Sequence, residues 1–235
     1  MKHVVRLYVD HPLGAGQTVP LDRDHANRLF NVMRMGEGDG LRLFNGRDGE
    51  WAATVAQAGK RGGVVVCEGL VAEDRMPADV WLCFAPIKKD RTEFIVEKAT
   101  ELGAARIVPM ITRFTNSDRV RVDRLQAHAL AAIEQCGGTI QPEVSEPVKF
   151  DALMRDWASE RRIMFCDETA EAGVLPEQPG PWAIFIGPEG GFSDDERAQL
   201  AEVGHTVSLG PRILRADTAA VAALTLWQQK LGDWV

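Results

Sequence analysis

The sequence predicts an α/β protein in two parts, a small β-barrel followed by a domain built on a parallel sheet. Three observations predict it. The first seventy residues carry short apolar runs separated by Gly-rich turns. A polar stretch ending at Pro77 then breaks the pattern. Beyond it, strand-like and helix-like segments alternate, which is the arrangement of a mostly parallel sheet covered on both faces.

In the first part, residues 4–9, 40–44, 51–55 and 64–67 read as strands. Asn45-Gly46-Arg47-Asp48-Gly49 and Gly59-Lys60-Arg61-Gly62-Gly63 punctuate them as hairpin-type turns. A short helix is expected after Asp22, with Leu29, Val32 and Met33 on its inner side. Several short strands joined in this way suggest a small barrel. Glu73-Asp74-Arg75-Met76-Pro77 reads as a linker, so the parts are expected to be 1–72 and 73–235.

In the second part, 80–85 is a buried-type strand and 91–102 a helix. That helix carries Phe94, Ile95, Ala99 and Leu102 on one face and is closed by Gly103. Strand 106–111, helix 120–136, helix 150–159 and strand 162–166 come next, then strand 182–186, helix 194–203, strand 206–209 and a closing helix 216–230.

Composition narrows the function. No apolar run approaches the ~20 residues that a membrane span needs, and the first residues lack a secretion signal, so a cytosolic protein is expected. Cys67, Cys83, Cys136 and Cys166 form no C-x-x-C pair, and the five histidines have no ligand spacing, so no metal is expected. The net charge of −7 opposes nucleic-acid binding taken alone. It is uneven, however. Residues 1–72 hold nine basic against eight acidic side chains, with seven arginines, whereas the remainder holds 18 against 26. Any contact with RNA is therefore expected mainly in the first part.

Ligands of open α/β sheets bind where strands end and the chain turns toward helices. Two such turns stand out. Ile186-Gly187-Pro188-Glu189-Gly190-Gly191-Phe192-Ser193 brings three glycines after a buried-type strand. Ser193-Asp194-Asp195-Glu196 is a capping box, which accounts for those three acids. Glu189 lies before the cap and has no such explanation. The loop matches neither the dinucleotide fingerprint nor the P-loop, and an acidic helix start is a poor phosphate cradle. It suits a ligand held by main-chain groups, such as an adenosine. The second turn runs from Leu209-Gly210-Pro211-Arg212 through Ile213-Leu214-Arg215 to Ala216-Asp217-Thr218-Ala219 and sets two arginines around an apolar pair.

These paired turns resemble the signature of the small-subunit ribosomal RNA methyltransferase E (RsmE) family, of the SPOUT class. Lys98-Ala99-Thr100-Glu101-Leu102-Gly103, residues 113–117 and Glu134-Gln135-Cys136 support the likeness. Residues 25–34 with Gly38-Asp39 and Phe44-Asn45-Gly46 resemble the family's PUA-like barrel. The sequence departs from the family pattern at Asp217, where Glu is usual, and at Gly138, where Arg is frequent.

The resemblance implies a PUA-like β-barrel, then a SPOUT α/β domain with a C-terminal trefoil knot. It implies S-adenosylmethionine held by Gly187, Pro188, Glu189, Gly190, Leu209, Gly210, Ile213, Leu214, Thr218 and Ala219. It further implies a homodimer that methylates N3 of a uridine in small-subunit ribosomal RNA, free or in the assembled subunit. Arg215 is then the candidate for stabilising charge on the base and Glu189 the candidate proton acceptor. Arg6, Arg28, Arg34, Arg113 and Asn116 are the candidate RNA contacts, the last two reaching the site from a facing subunit. From the residues alone, a ribose 2′-O methyltransferase or a non-catalytic RNA-binding protein stays open.

Overall fold

The computed structural model describes residues 4–117, 119–170 and 173–234. Its contacts divide the chain into two units. In the first, β1 (Arg6–Tyr8), β2 (Thr18–Leu21), β3 (Gly40–Phe44), β4 (Glu50–Gly59) and β5 (Gly62–Ala72) form one sheet in the order β1-β3-β4-β5-β2. Alternate residues, among them Leu7, Val19, Leu41, Leu43, Val55 and Val65, pack into a single core. The β4–β5 hairpin is longer than expected and carries three register irregularities. Strand β2 escapes a reading by pattern because Pro20 interrupts it, and proline is tolerated there because β2 is an edge strand.

The short helix after Asp22 also differs from expectation. Asp22 caps α1 (Arg23–Ala26) by accepting the His25 N–H, and the chain continues as a π-helical turn, Asn27–Val32. There the Met33 N–H donates to the Arg28 carbonyl five residues back. The wider turn holds one residue more than an α turn, so it rotates the side chains at its C-terminal end away from the core. Leu29 stays buried, but Val32 and Met33, expected inside, are 70% and 40% exposed. Arg34 then takes a positive φ of 58°.

The first unit passes the expected boundary at residue 72, reaching Met76, and takes in Ile133–Ile140. Asp74 accepts the Gly49 N–H, and buried charges hold the second segment. Arg6 donates to Glu50 (2.6 Å) and to the carbonyls of Ile133 and Gly138 (2.7 Å each), with its guanidinium 4.5 Å from the Phe44 ring centre. Glu134 accepts the Tyr8 N–H and pairs with Arg28. Arg6 is expected from the sequence to contact RNA, but its donors are engaged inside the unit. Gly138 contributes its carbonyl here, where the family pattern often has an arginine side chain.

In the second unit, β6 (Val80–Phe84), β7 (Arg106–Ile111), β8 (Glu143–Val144), β9 (Val148–Lys149), β10 (Arg162–Cys166), β11 (Trp182–Ile186) and β12 (His205–Val207) form a wholly parallel sheet. The order is β12-β10-β11-β6-β7-β8, and β9 pairs with β7 beyond β8. Helices α2 (Lys89–Glu101), α3 (Val122–Cys136) and α6 (Ala216–Leu231) pack residues such as Ile95, Leu125 and Trp227 against Leu82, Ile184 and Met164. On the other face, α4 (Phe150–Arg155) and α5 (Asp194–Val203) pack Phe150, Met154 and Leu200 against Cys83, Phe165 and Phe185. Both faces are buried, which is why these strands read as continuous apolar runs. No helix of the described residues is long and apolar enough to cross a membrane.

The buried charges of the first unit generate a prediction. Arg6→Ala leaves Glu50, only 5% exposed, with Arg42 at 3.5 Å as its remaining cation. Urea unfolding should show a stability loss of about 3 kcal/mol. Arg47→Ala, which breaks an exposed pair with Asp10, should cost less than about 1 kcal/mol.

Candidate active site

Strands β12, β10 and β11 lie side by side and parallel, so the loops that leave them emerge on one edge. Cys166 of β10 stands opposite Val207 of β12, and Phe165 opposite Phe185 of β11. The three loops bound a cleft of about 360 Å³. Cys166, Asp167 and Glu168 line it from the first, Gly187 to Gly191 from the second, and Leu209, Gly210 and Arg212 to Ala216 from the third, with Ala219 on α6. Of the ten candidate cofactor residues, nine therefore line one cleft. Thr218 does not, because it lies one helical position from Ala219 and is exposed, its N–H donating to Asp217.

Local chemistry explains each loop's shape. Gly210 has a φ of +107°, which an L side chain rarely adopts, so the chain can reverse between Leu209 and Pro211. Ser193 caps α5 by accepting the Glu196 N–H, while the Glu196 carboxylate accepts the Ser193 N–H at 2.9 Å. The capping box thus forms as expected. The same buried carboxylate accepts the Arg113 N–H at 2.8 Å, fastening the turn after β7. Gly190 lines the cleft and carries a second constraint. A missing side chain in this loop suggests room for a ligand, yet a Cβ there would fall 3.2 Å from the Cβ of Phe114 on that turn.

The β10 loop does not stand out in the sequence. Its one available signal is Asp167 immediately after a buried parallel strand. Arg197 of α5 donates to Asp167, to Glu168 at 3.1 Å and to the Thr169 hydroxyl at 2.9 Å. Burial raises the Asp167 pKa, but the Thr169 N–H and the Arg197 guanidinium outweigh it and hold the carboxyl below the ordinary aspartate value. Arg197 is correspondingly raised. Burial pushes the Cys166 thiol up to about 12, so it stays protonated at neutral pH and offers no nucleophile.

The charged candidates occupy different settings. Arg215 occupies the N-cap position of α6, is exposed and faces the cleft. Glu189 is exposed on the cleft, and no hydrogen bond to its side chain occurs among the described residues, so it does not brace the Gly-rich loop. Asp217 is buried and pairs with Arg91 of α2 at 3.0 Å, a structural tie rather than a cleft contact. Arg113 and Asn116 are exposed on the turn after β7 of this same chain, whose Phe114 lies against Gly190. In the first unit Arg34 is exposed, whereas Arg28 is half-buried against Glu134.

Comparison with known proteins agrees with this layout. An RNA methyltransferase domain model matches residues 74–228, and an RNA methyltransferase PUA domain model matches residues 21–66. Ribosomal RNA small subunit methyltransferase E of Rickettsia conorii is 31% identical over 228 residues, covering 93% of each chain. The protein of that name from Neisseria gonorrhoeae, solved bound to S-adenosyl methionine, superposes with a TM-score of 0.90 at 27% identity, covering 99% of this chain and 100% of that one. A Legionella pneumophila methyltransferase solved with bound SAM gives a TM-score of 0.90 at 31% identity, covering 98% and 99%. With a PUA-type sheet, a parallel-sheet methyltransferase domain and a cleft formed by both signature turns, the chain belongs to the ribosomal RNA small subunit methyltransferase E family.

Proposed function

We propose that the protein uses S-adenosylmethionine to methylate N3 of a uridine in small-subunit (16S-type) ribosomal RNA, free or in the assembled subunit. It would do so in the cytosol as a homodimer. The trefoil knot of the class is carried over as part of this reading. The observation that carries the proposal is the single cleft at the ends of β10, β11 and β12, shared by both signature turns.

The cleft's chemistry fits the cofactor. Its volume is within the ~300–1,000 Å³ of small-molecule sites. Leu209, Ile213 and Leu214 offer an apolar wall for an adenine, and Ile213 is 85% exposed until something covers it. Asp167, Glu168 and Glu189 suit a cationic group, and Arg212 suits a carboxylate. When bound, S-adenosylmethionine supplies an electrophilic methyl group.

The chain's own residues must then prepare the base. N3 of uridine carries a proton and is a poor nucleophile until that proton leaves. Glu189, exposed on the cleft, takes that proton. Arg215 stays protonated and cannot act as base. It stabilises negative charge on the uracil carbonyls as the proton departs. Outside the cleft, Arg34, Arg113 and Asn116 are the exposed RNA contacts of this reading. Arg28 is a weaker one and Arg6 is left out, because its guanidinium is held by Glu50 and main-chain carbonyls. The homodimer is carried over with the family reading, with the closing helix α6 as its expected face.

The test is nucleoside mass spectrometry of small-subunit ribosomal RNA after incubation with the protein and isotopically labelled cofactor. The expected product is N3-methyluridine. A ribose 2′-O-methyl product would replace the base by the sugar as acceptor, and a protein that binds RNA but no cofactor would be a binding module.

Three substitutions separate the roles. Arg215→Ala should keep cofactor affinity by calorimetry and lose at least about 100-fold in single-turnover rate, the mark of an interaction made in the transition state. Arg197→Met should release Asp167 and Glu168 and weaken cofactor binding by roughly tenfold, with RNA affinity unchanged. Acid should act similarly. Because the Asp167 pKa is depressed in the fold, its tie to Arg197 is intact above the ordinary aspartate range and is lost as pH falls through the lowered value. Arg34→Ala should leave stability intact and flatten the salt dependence of RNA binding by about one ion.

A further inference from the structure

We infer that Phe114 is a stacking platform for a nucleobase of the RNA substrate, a role that rests on the RNA methyltransferase reading above. Phe114 is 44% exposed, and no other phenylalanine among the described residues is exposed. It stands on the turn after β7, directly against Gly190, which itself lines the cleft. A ring at this place lies beside the cleft without lining it.

The turn is held rigidly although it is at the surface. The Thr115 hydroxyl accepts the Thr112 N–H at 2.9 Å and lies 2.9 Å from the Thr112 hydroxyl. The Arg113 N–H is fixed by Glu196 at 2.8 Å, and Glu196 is itself locked to Ser193. The ring is therefore preorganised with part of its surface in water. Rigid presentation of a large apolar surface gives up burial that a mobile side chain could recover, and it favours a partner that arrives ready to cover it. A flat, neutral π face is such a partner, and unpaired RNA bases are commonly recognised on aromatic rings.

The exposed ring itself favours a base over a phosphate as the group held here, since a base can stack on an aromatic face and a phosphate cannot. On the far side of the turn a second cleft of about 400 Å³ includes Arg113 and Lys149, but also Asp151, Asp195 and Glu196. The acids offset the two cations, so that cleft is no phosphate trap. Exposed Asn116 on the same turn can hydrogen-bond a base edge. Apolar cover of Gly190 alone would need no ring, since leucine would serve.

The experiment compares F114A, F114L and F114W with the wild type in kcat/KM for small-subunit RNA, cofactor affinity by calorimetry, and mass by light scattering. Stacking predicts that the Ala and Leu variants each lose roughly tenfold or more in kcat/KM for RNA while the Trp variant keeps it. Cofactor affinity and mass should match the wild type in all three. Full activity of F114L would reduce the ring to an apolar cover and overturn the inference. A change of mass in F114A would make the ring a protein–protein contact and overturn it as well. A wild-type protein that methylates no RNA would remove the parent reading and this inference together, whereas an active wild type with an equally active F114L removes the stacking role alone.

Discussion

Parallel pairing of β12, β10 and β11 is the constraint on which the site depends. Parallel neighbours end on the same edge, so loops far apart in sequence start within a residue of one another, as Cys166 opposite Val207 and Phe165 opposite Phe185 demonstrate. The register is held by burial on both faces. Met164, Ile184 and Ile186 enter one core, and Ile163, Phe165, Ala183 and Phe185 enter the other. A slip of one residue would exchange the two sets. It would also draw one loop out of the cleft that all three must share.

Helix α5 then converts this edge into a defined shape. Glu196 and Arg197 are neighbours near its start and reach in different directions. Glu196 closes the capping box and holds the turn after β7, while Arg197 holds the loop after β10. One helix terminus thus braces two loops on either side of the Gly-rich turn, which needs glycines because Phe114 and Phe192 crowd it. A similar economy of charge appears in the first unit. There Arg6, Glu50, Arg28 and Glu134 are tied together around Phe44 and Tyr8, and the pairs order main chain instead of facing solvent.

Much of this was legible in the residues. Alternation of apolar strands and amphipathic helices revealed most of the second unit, because strands buried on both faces leave unbroken apolar runs, but not β8 and β9, whose two residues each are too few to show a pattern. The paired Gly-Pro turns located the cleft, because ligands of open parallel sheets bind where strands end and the chain turns toward helices. The illegible parts have physical reasons. The π turn at Asn27–Val32 exposed Val32 and Met33, and sequence does not announce an extra residue in a helical turn. Counting arginines overstated the RNA face, since Arg6 and Arg28 meet partners more than a hundred residues away. Asp167 and Glu168 join the cleft through strand order, which no local pattern carries. Thr218 was drawn in by its place in a motif, although helical geometry turns it away from Ala219.

We propose that three loops on one sheet edge close around a single cofactor. Amide hydrogen exchange followed by mass spectrometry, with and without S-adenosylmethionine, tests it most directly. Cofactor is expected to slow exchange together in peptides covering residues 166–169, 187–191 and 209–216, and to leave the first unit's strands unchanged. Protection confined to one of the three segments, or found only in the first unit, would contradict it.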